Sequence, residues 1–442
     1  MNLHRRALFR GLLGAGALAG LGGGASRIFA APPAEHRFVV LYFNGGWDVL
    51  LGPDPRDPAR SYAGIDLGTE LLPEAYRDPL PVTLGGRETL WGASMRRLVE
   101  RGHHQLCTTF RSVNMNTVAH PAGRAYVNTF RSPAGAQARG SSIGTLLATA
   151  GPLSESLVMP NVSISLPTFN DAHPADFTGV RTALAPGIID LLQPQAERLD
   201  DDVEALLARA QDEARSCVGA TYRGRPEDQL RESRRRARQL ERENVARFFD
   251  LGADTSEMAS LRARYGLGAT THRSNPRHPG VVAAITAQLL RTGLARSVTA
   301  QLQVGMDTHR ADWGSAQGPR QRLGFDALAA LLDDLREDDP SLERTTVVVM
   351  SEFARTPRIN GNRGRDHWFA NSFLVFGGLL RPGVVGATHP ESLGLQRTNL
   401  ETGLPDPEGE MLQPEHIGAT LAAALGLDHD AFRVSPLHAW IA

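Results

Sequence analysis

The feature that most constrains this chain is an unbroken apolar run at residues 38–43, Phe-Val-Val-Leu-Tyr-Phe, cut off by Asn44-Gly45-Gly46-Trp47-Asp48. Such a run has no polar alternation, so it reads as a strand buried on both faces of its sheet. The pattern recurs. Residues 345–350 end in Ser351-Glu352-Phe353, residues 297–304 end in Gly305-Met306-Asp307-Thr308-His309, and residues 372–376 lead to Gly377-Gly378. Helical spacing of apolar residues appears at 279–293, 325–335 and 416–427. Buried strands separated by helices predict an α/β fold, with a mostly parallel central sheet flanked by helices.

In open sheets of this kind, ligands bind beyond the carboxyl ends of the strands. Three of the apolar runs deliver a carboxylate or an imidazole at that end. Asp48 follows the first, where Gly45 and Gly46 permit a sharp turn; it can face the crevice or cap a following helix. Asp307 and His309 follow another, and residues two apart on an extended segment share a face. Glu352 follows the third and opens a stretch, residues 351–368, that also carries Arg355, Asp366 and His367. Carboxylate oxygen and neutral imidazole are ligands for divalent cations. Arginine beside such ligands suits a phosphate or sulfate group, because guanidinium donates paired hydrogen bonds to anionic oxygens. A fourth stretch, residues 114–120, offers the Thr117 hydroxyl as a nucleophile and His120 as ligand or acid. Taken alone, the stretch reads first as a polar loop before a helix that starts near Ala122. Taken together, Asp48, Asp307, His309, Glu352, Asp366 and His367 are expected to converge on a two-metal site, with Thr117, His120 and Arg355 as the catalytic set. The residues do not choose among zinc, manganese, magnesium and calcium.

The N-terminus reads as an address. His4-Arg5-Arg6 precedes a Gly/Ala-rich apolar stretch at 11–25, then Ala30-Ala31-Pro32-Pro33. These are the three parts of an export signal, and the paired arginines fit the twin-arginine type, with the twin-arginine export machinery as a partner. Cleavage is expected near Ala30 or Ala31. The stretch has too many glycines for a membrane anchor, and no stable span is expected in the mature chain. The glycines at 20–24 have neither a preceding strand nor a Lys-Ser/Thr, which excludes a phosphate loop. Residues 32–442 are expected to form the α/β domain. Residues 188–252, rich in Arg, Glu, Gln, Leu and Ala without a strand-like run, read as a helical insertion. The basic run at 231–238 is interleaved with acids. Lys+Arg 47 against Asp+Glu 48 leaves no basic excess for a nucleic-acid partner. The two cysteines, Cys107 and Cys217, allow one disulfide or two free thiols.

Several motifs carry a resemblance. They are Phe-Asn-Gly-Gly-Trp-Asp at 43–48, Asp-Thr-His at 307–309, Ser-Glu-Phe-Ala-Arg-Thr-Pro at 351–357, Gly-Arg-Asp-His-Trp at 364–368 and Gly-Val-Val-Gly-Ala-Thr at 383–388. With the leader, they make nearly the whole chain resemble the DUF1501 family of exported bacterial proteins, grouped with the alkaline phosphatase/arylsulfatase superfamily. The resemblance implies an alkaline-phosphatase-like sheet and a periplasmic or extracellular location. It also implies a metal-dependent hydrolase acting on a phosphate or sulfate ester of a small molecule, glycan or lipid. By that analogy Asp48 and Glu352 serve one metal, and Asp307, His309 and His367 the other. Relatives often carry a Ser-His pair where this chain has Ala119-His120, which leaves Thr117 as the nearby hydroxyl. No Cys-x-Pro-x-Arg of the sulfatase type is present. The alternative is a non-catalytic envelope binding protein that retains a degenerate phosphatase-like site.

Overall fold

The computed structural model describes residues 36–151, 157–193 and 244–442, with a few positions between 202 and 213. All of them belong to the unit formed by residues 31–442. Eight strands form one sheet: β1 (Arg37–Phe43), β2 (Cys107–Asn114), β3 (Asn161–Ile164), β4 (Val180–Thr182), β5 (Ser297–Gln303), β6 (Thr345–Ser351), β7 (Ala370–Gly377) and β8 (Gly383–Val385). Their order across the sheet is β8-β2-β7-β6-β1-β5-β3-β4, and only β7 runs against its neighbours.

β1 lies in the middle, as its composition requires. Val39, Leu41 and Phe43 point into one core, while Phe38, Val40 and Tyr42 point into the other. The first core is covered by helices α3 (Pro279–Arg291) and α4 (Asp312–Asp338). The second is covered by α1 (His120–Thr129), α2 (Ile143–Ala148) and α5 (Pro414–Ala424). The α/β architecture with a mostly parallel sheet between helical layers is therefore present. Six buried side chains of this size contribute roughly 1.5–3 kcal/mol each relative to exposure, so the strand cannot leave the centre of the sheet without large loss.

The reversed strand follows from the connection before it. A parallel crossover needs a dozen or more residues, usually in a helix, to carry the chain back to the opposite edge. Residues 352–369 form no helix. They make a small antiparallel ribbon, Ala354–Arg355 against His367–Trp368, and stay at the edge where β6 ended. β7 must then start at that edge and run back. Its first residue, Ala370, pairs with Asn114, the last of β2.

Some expectations need correcting. Helix α4 begins at Asp312 rather than near residue 325, and it contains Pro319. Helix α1 begins at His120, two residues before the expected start, and α5 spans Pro414–Ala424 rather than 416–427. Of the proposed insertion at 188–252, a short helix at Ile188–Leu192 and a 3-10 turn at Val245–Phe248 are described. The basic run at 231–238, Cys217 and the leader lie outside the described residues. Cys107 is buried on β2 and free.

Candidate metal centre

The site is assembled by neighbouring strand ends. Phe43 of β1 pairs with Gln303 of β5 on one side and Ser351 of β6 on the other. The loops carrying Asp307, Glu352 and Gly45-Gly46 therefore emerge side by side. On the far side of β6, the end of β2 and the start of β7 bring up His120, the first residue of α1, and His367 of the ribbon. Glycine is required where these loops cross. Gly45 and Gly46 have φ of 115° and 80°. A Cβ on Gly45 would sit 2.6 Å from the Asp307 amide nitrogen, and one on Gly46 2.5 Å from the Phe353 ring. A side chain at either position would be strained and would push the loops apart.

Asp307 is the hub. Its Oδ1 lies 2.9 Å from His309 Nε2 and 3.1 Å from His367 Nε2, and its Oδ2 lies 3.3 Å from His120 Nε2. The two ring nitrogens of His309 and His367 are 2.9 Å apart. The other nitrogen of each ring faces an acceptor. Nδ1 of His120 is 2.9 Å from Glu352 Oε1, that of His309 is 2.8 Å from Asp366 Oδ1, and that of His367 is 2.6 Å from the Val118 carbonyl. Each acceptor draws the ring proton to Nδ1 and leaves the Nε2 lone pair directed at Asp307. The His309 and His367 nitrogens are too close for both to carry protons. A long contact of 3.5 Å from Arg355 Nη1, which can only donate, also marks His309 Nε2 as an acceptor.

Converging lone pairs repel unless a cation lies among them. Ligands about 2.1 Å from a tetrahedral ion sit roughly 3.4 Å from one another, close to the spacings found here. His120, Asp307 and His367 each offer a ligand atom within 4.8 Å of the others. His120 Nε2 is buried without a hydrogen-bond partner. Holding the remote N–H on a carboxylate or carbonyl is how metal-ligating histidines are oriented. The donor set thus fits a divalent ion.

Charge is arranged accordingly. Burial works to raise the Asp307 carboxyl, but Arg355, through its hydrogen bond and its charge, outweighs it and holds the carboxyl well below its ordinary range. Burial likewise opposes ionisation of Glu352. The hydrogen bond from His120, with other hydrogen-bond donors around the carboxylate, nonetheless keeps its pKa low. The hydrogen bond with His309 lowers Asp366. Desolvation lowers His367, which favours the neutral ring a ligand must have.

The sequence-derived candidates divide. Asp307, His309, His367 and His120 come together, with His120 facing Asp307 as a fourth donor. Glu352 is completely buried and does not face the centre. Its oxygens accept from the Gly45 amide at 2.9 and 3.1 Å and from the Gly46 amide at 3.2 Å, besides His120. Asp366 contacts His309 through the remote nitrogen, so it too stands one layer behind. Asp48 is not brought to the group. One oxygen caps the 3-10 turn at Val49–Leu51 through the Leu50 amide, 3.0 Å away. The other lies 2.9 Å from Trp313 Nε1 and 3.1 Å from Arg365 Nε. Arg355 is also fully buried. Its Nε donates to Gly46 O at 2.9 Å, Nη1 to Arg365 O at 3.1 Å, and Nη2 to Gly45 O and to Asp307 Oδ1 at 2.7 Å. It therefore has no face for a substrate anion. Thr117 Oγ1 accepts from the Ala119 amide at 3.2 Å, an ordinary loop contact. The Val118 carbonyl and the Asp48–Arg365 pair carry no sequence signal. Arg124 does, four residues after His120 and so on the same face of α1.

An α/β sheet with a histidine–carboxylate centre at its carboxyl edge is the class of protein that fold and site define. Residues 35–441 match the family model described as "Protein of unknown function (DUF1501)", and the chain belongs to that family. No curated protein matches it in sequence. Among solved structures it is similar to Ps i-CgsB in complex with k-i-k-neocarrahexaose, at 9% identity over 92% of this chain and 75% of that one, with a TM-score of 0.34. It is also similar to a Bacteroides thetaiotaomicron structure described under metabolism of multiple glycosaminoglycans, at 10% identity over 90% of this chain and 74% of that one, with a TM-score of 0.34. Likeness at that level carries no argument about chemistry. Among the described residues, no helix is long and apolar enough to cross a membrane.

Proposed function

We propose that the chain is an exported, metal-dependent hydrolase-like protein of the bacterial envelope, acting on a phosphate or sulfate ester. The observation that carries this reading is the set of three imidazoles, each with Nδ1 on an acceptor and Nε2 turned to Asp307. His120, Asp307, His309 and His367 would hold the ion. When bound, a divalent ion supplies Lewis-acid polarisation of an ester oxygen. Glu352, Asp366 and the Val118 carbonyl fix the tautomers of the three rings, and Arg355 holds Asp307 in place. This replaces the expected two-metal set with a single centre, leaves Asp48 outside it, and gives Arg355 a positioning role. The twin-arginine leader supports export, and the family resemblance supports placement with the alkaline phosphatases and arylsulfatases.

One observation favours a second reading, a non-catalytic binding protein with a degenerate site. Among the described residues, no serine or threonine hydroxyl is hydrogen-bonded to Asp307 or to the three imidazoles. Assays of p-nitrophenyl phosphate and p-nitrophenyl sulfate with protein loaded separately with zinc, manganese, magnesium and calcium separate the two. Turnover of either ester that needs the ion and disappears in His367→Ala supports the hydrolase. Ion binding without turnover of either ester supports the binding protein.

A further inference from the structure

A site for an anionic ester needs a cationic group with donors to spare, and Arg355 has none. We propose that Arg124 is the residue that binds the phosphate or sulfate group, a proposal that rests on the metal-centre reading given above. Two described arginines have side chains that contact the ring of residues around the centre, Arg355 and Arg124. Arg355 is completely buried and all its nitrogens donate to protein acceptors. The Arg124 side chain keeps 47% of its surface exposed, as Asp307 keeps 46%. Its Nε lies 3.9 Å from Glu352 Oε1, the same oxygen that holds His120 Nδ1 at 2.9 Å. Its Nη2 donates to Asn44 Oδ1 at 3.3 Å.

This is a loose tether. The Glu352 contact is at the outer limit of an ion pair, and Glu352 is already satisfied by two backbone amides and His120. The Asn44 contact is long for a hydrogen bond, and Asn44 holds a shorter one of its own, 2.6 Å from Nδ2 to Gln301 Oε1. With these two contacts and one to the buried Tyr42 hydroxyl, the half-exposed guanidinium, with five N–H groups, still has donor capacity unspent. A planar fork of N–H groups matches a tetrahedral oxyanion through two parallel bonds, which a lysine ammonium cannot reproduce. Being on α1, the same helix that opens with His120, Arg124 is held in fixed register with the centre.

The test uses the full mature chain as wild type, Arg124→Ala and Arg124→Lys. Alanine is the best helix former and the position is half exposed, so both variants should fold, checked by unchanged urea midpoints. Zinc is titrated by calorimetry, and inorganic phosphate is then titrated into both zinc-loaded and zinc-free protein. The expected result is equal zinc uptake in all three, with phosphate affinity lowered at least about tenfold in Arg124→Ala and less in Arg124→Lys. Phosphate affinity that is equal in the three proteins, or absent from wild type in both states, overturns the proposal. If wild type takes up none of zinc, manganese, magnesium and calcium, the metal-centre reading fails by itself, and the metal-free phosphate titration still decides for or against Arg124.

Discussion

Asp48 and Asp307 each follow a buried strand at the same edge of the sheet, and their surroundings part company completely. Asp48 is sealed. Trp313 Nε1 and Arg365 take one oxygen and the Leu50 amide the other, and the Arg365 guanidinium stacks 4.6 Å over the Trp313 ring. Asp307 is nearly half exposed, and each of the three imidazoles around it turns Nε2 toward it while its Nδ1 faces an acceptor. A carboxylate at a strand's end is thus not a ligand by position. What decides is whether its neighbours leave electron pairs or donors facing it. The first arrangement locks a loop, and the second gathers the kind of donors that the proposed divalent ion would need.

Breaking the sealed pair gives the largest effect. Arg365→Ala strands a buried Asp48 carboxylate and should cost about 3–5 kcal/mol, read as a lowered urea midpoint. Because the Asp48 oxygens face Leu50, Trp313 and Arg365 and not the proposed centre, zinc bound per folded chain should be unchanged. A parallel loss of zinc would put Asp48 back in the centre. Disturbing the outer layer of the open cluster comes next. Asp366→Asn removes the charge that orients His309 and should lower zinc affinity about 10–100-fold, while stability of the metal-free protein moves little.

Acid should act more gradually. Asp307 is held well below the ordinary carboxylate range, so it stays ionised as the solution is acidified toward that range. Zinc affinity should then fall as pH drops through roughly 6.5, because the ligand must be neutral imidazole. Burial depresses His367, so its own protonation lies on the acid side of that value. A zinc affinity that held steady down through the ordinary carboxylate range, with only Asp307 still to protonate, would mean that the imidazoles are not ligands.

The sequence made the central strands legible because a strand buried on both faces has only one kind of side chain to offer. β2 was hidden for the converse reason. Thr108, Thr109, Arg111, Ser112 and Asn114 interrupt its apolar residues. Arg111 is tolerated through partners far along the chain, among them Asp54 at 3.4 Å and the Pro53 carbonyl. The first half of α4 was hidden by Gly314, Gly318 and Gly324, each of which lies against something a Cβ would strike: Leu71, the Tyr76 ring and the Phe43 ring. In the site, the chemistry-bearing residue types could be read from their position after strands. Their division into inner and outer layers could not, because it turns on which nitrogen of each ring meets an acceptor. Those acceptors include a backbone carbonyl, Val118, that no side-chain pattern encodes.

The most direct test of the central claim is the zinc content of the mature chain by elemental analysis, compared among wild type, His120→Ala, His309→Ala, His367→Ala and Asp48→Asn. The account predicts one tightly bound ion per chain in wild type, its loss from each histidine variant, and its retention in Asp48→Asn after correction for any unfolded fraction. Equal metal content in all five proteins, or loss confined to Asp48→Asn, would contradict it.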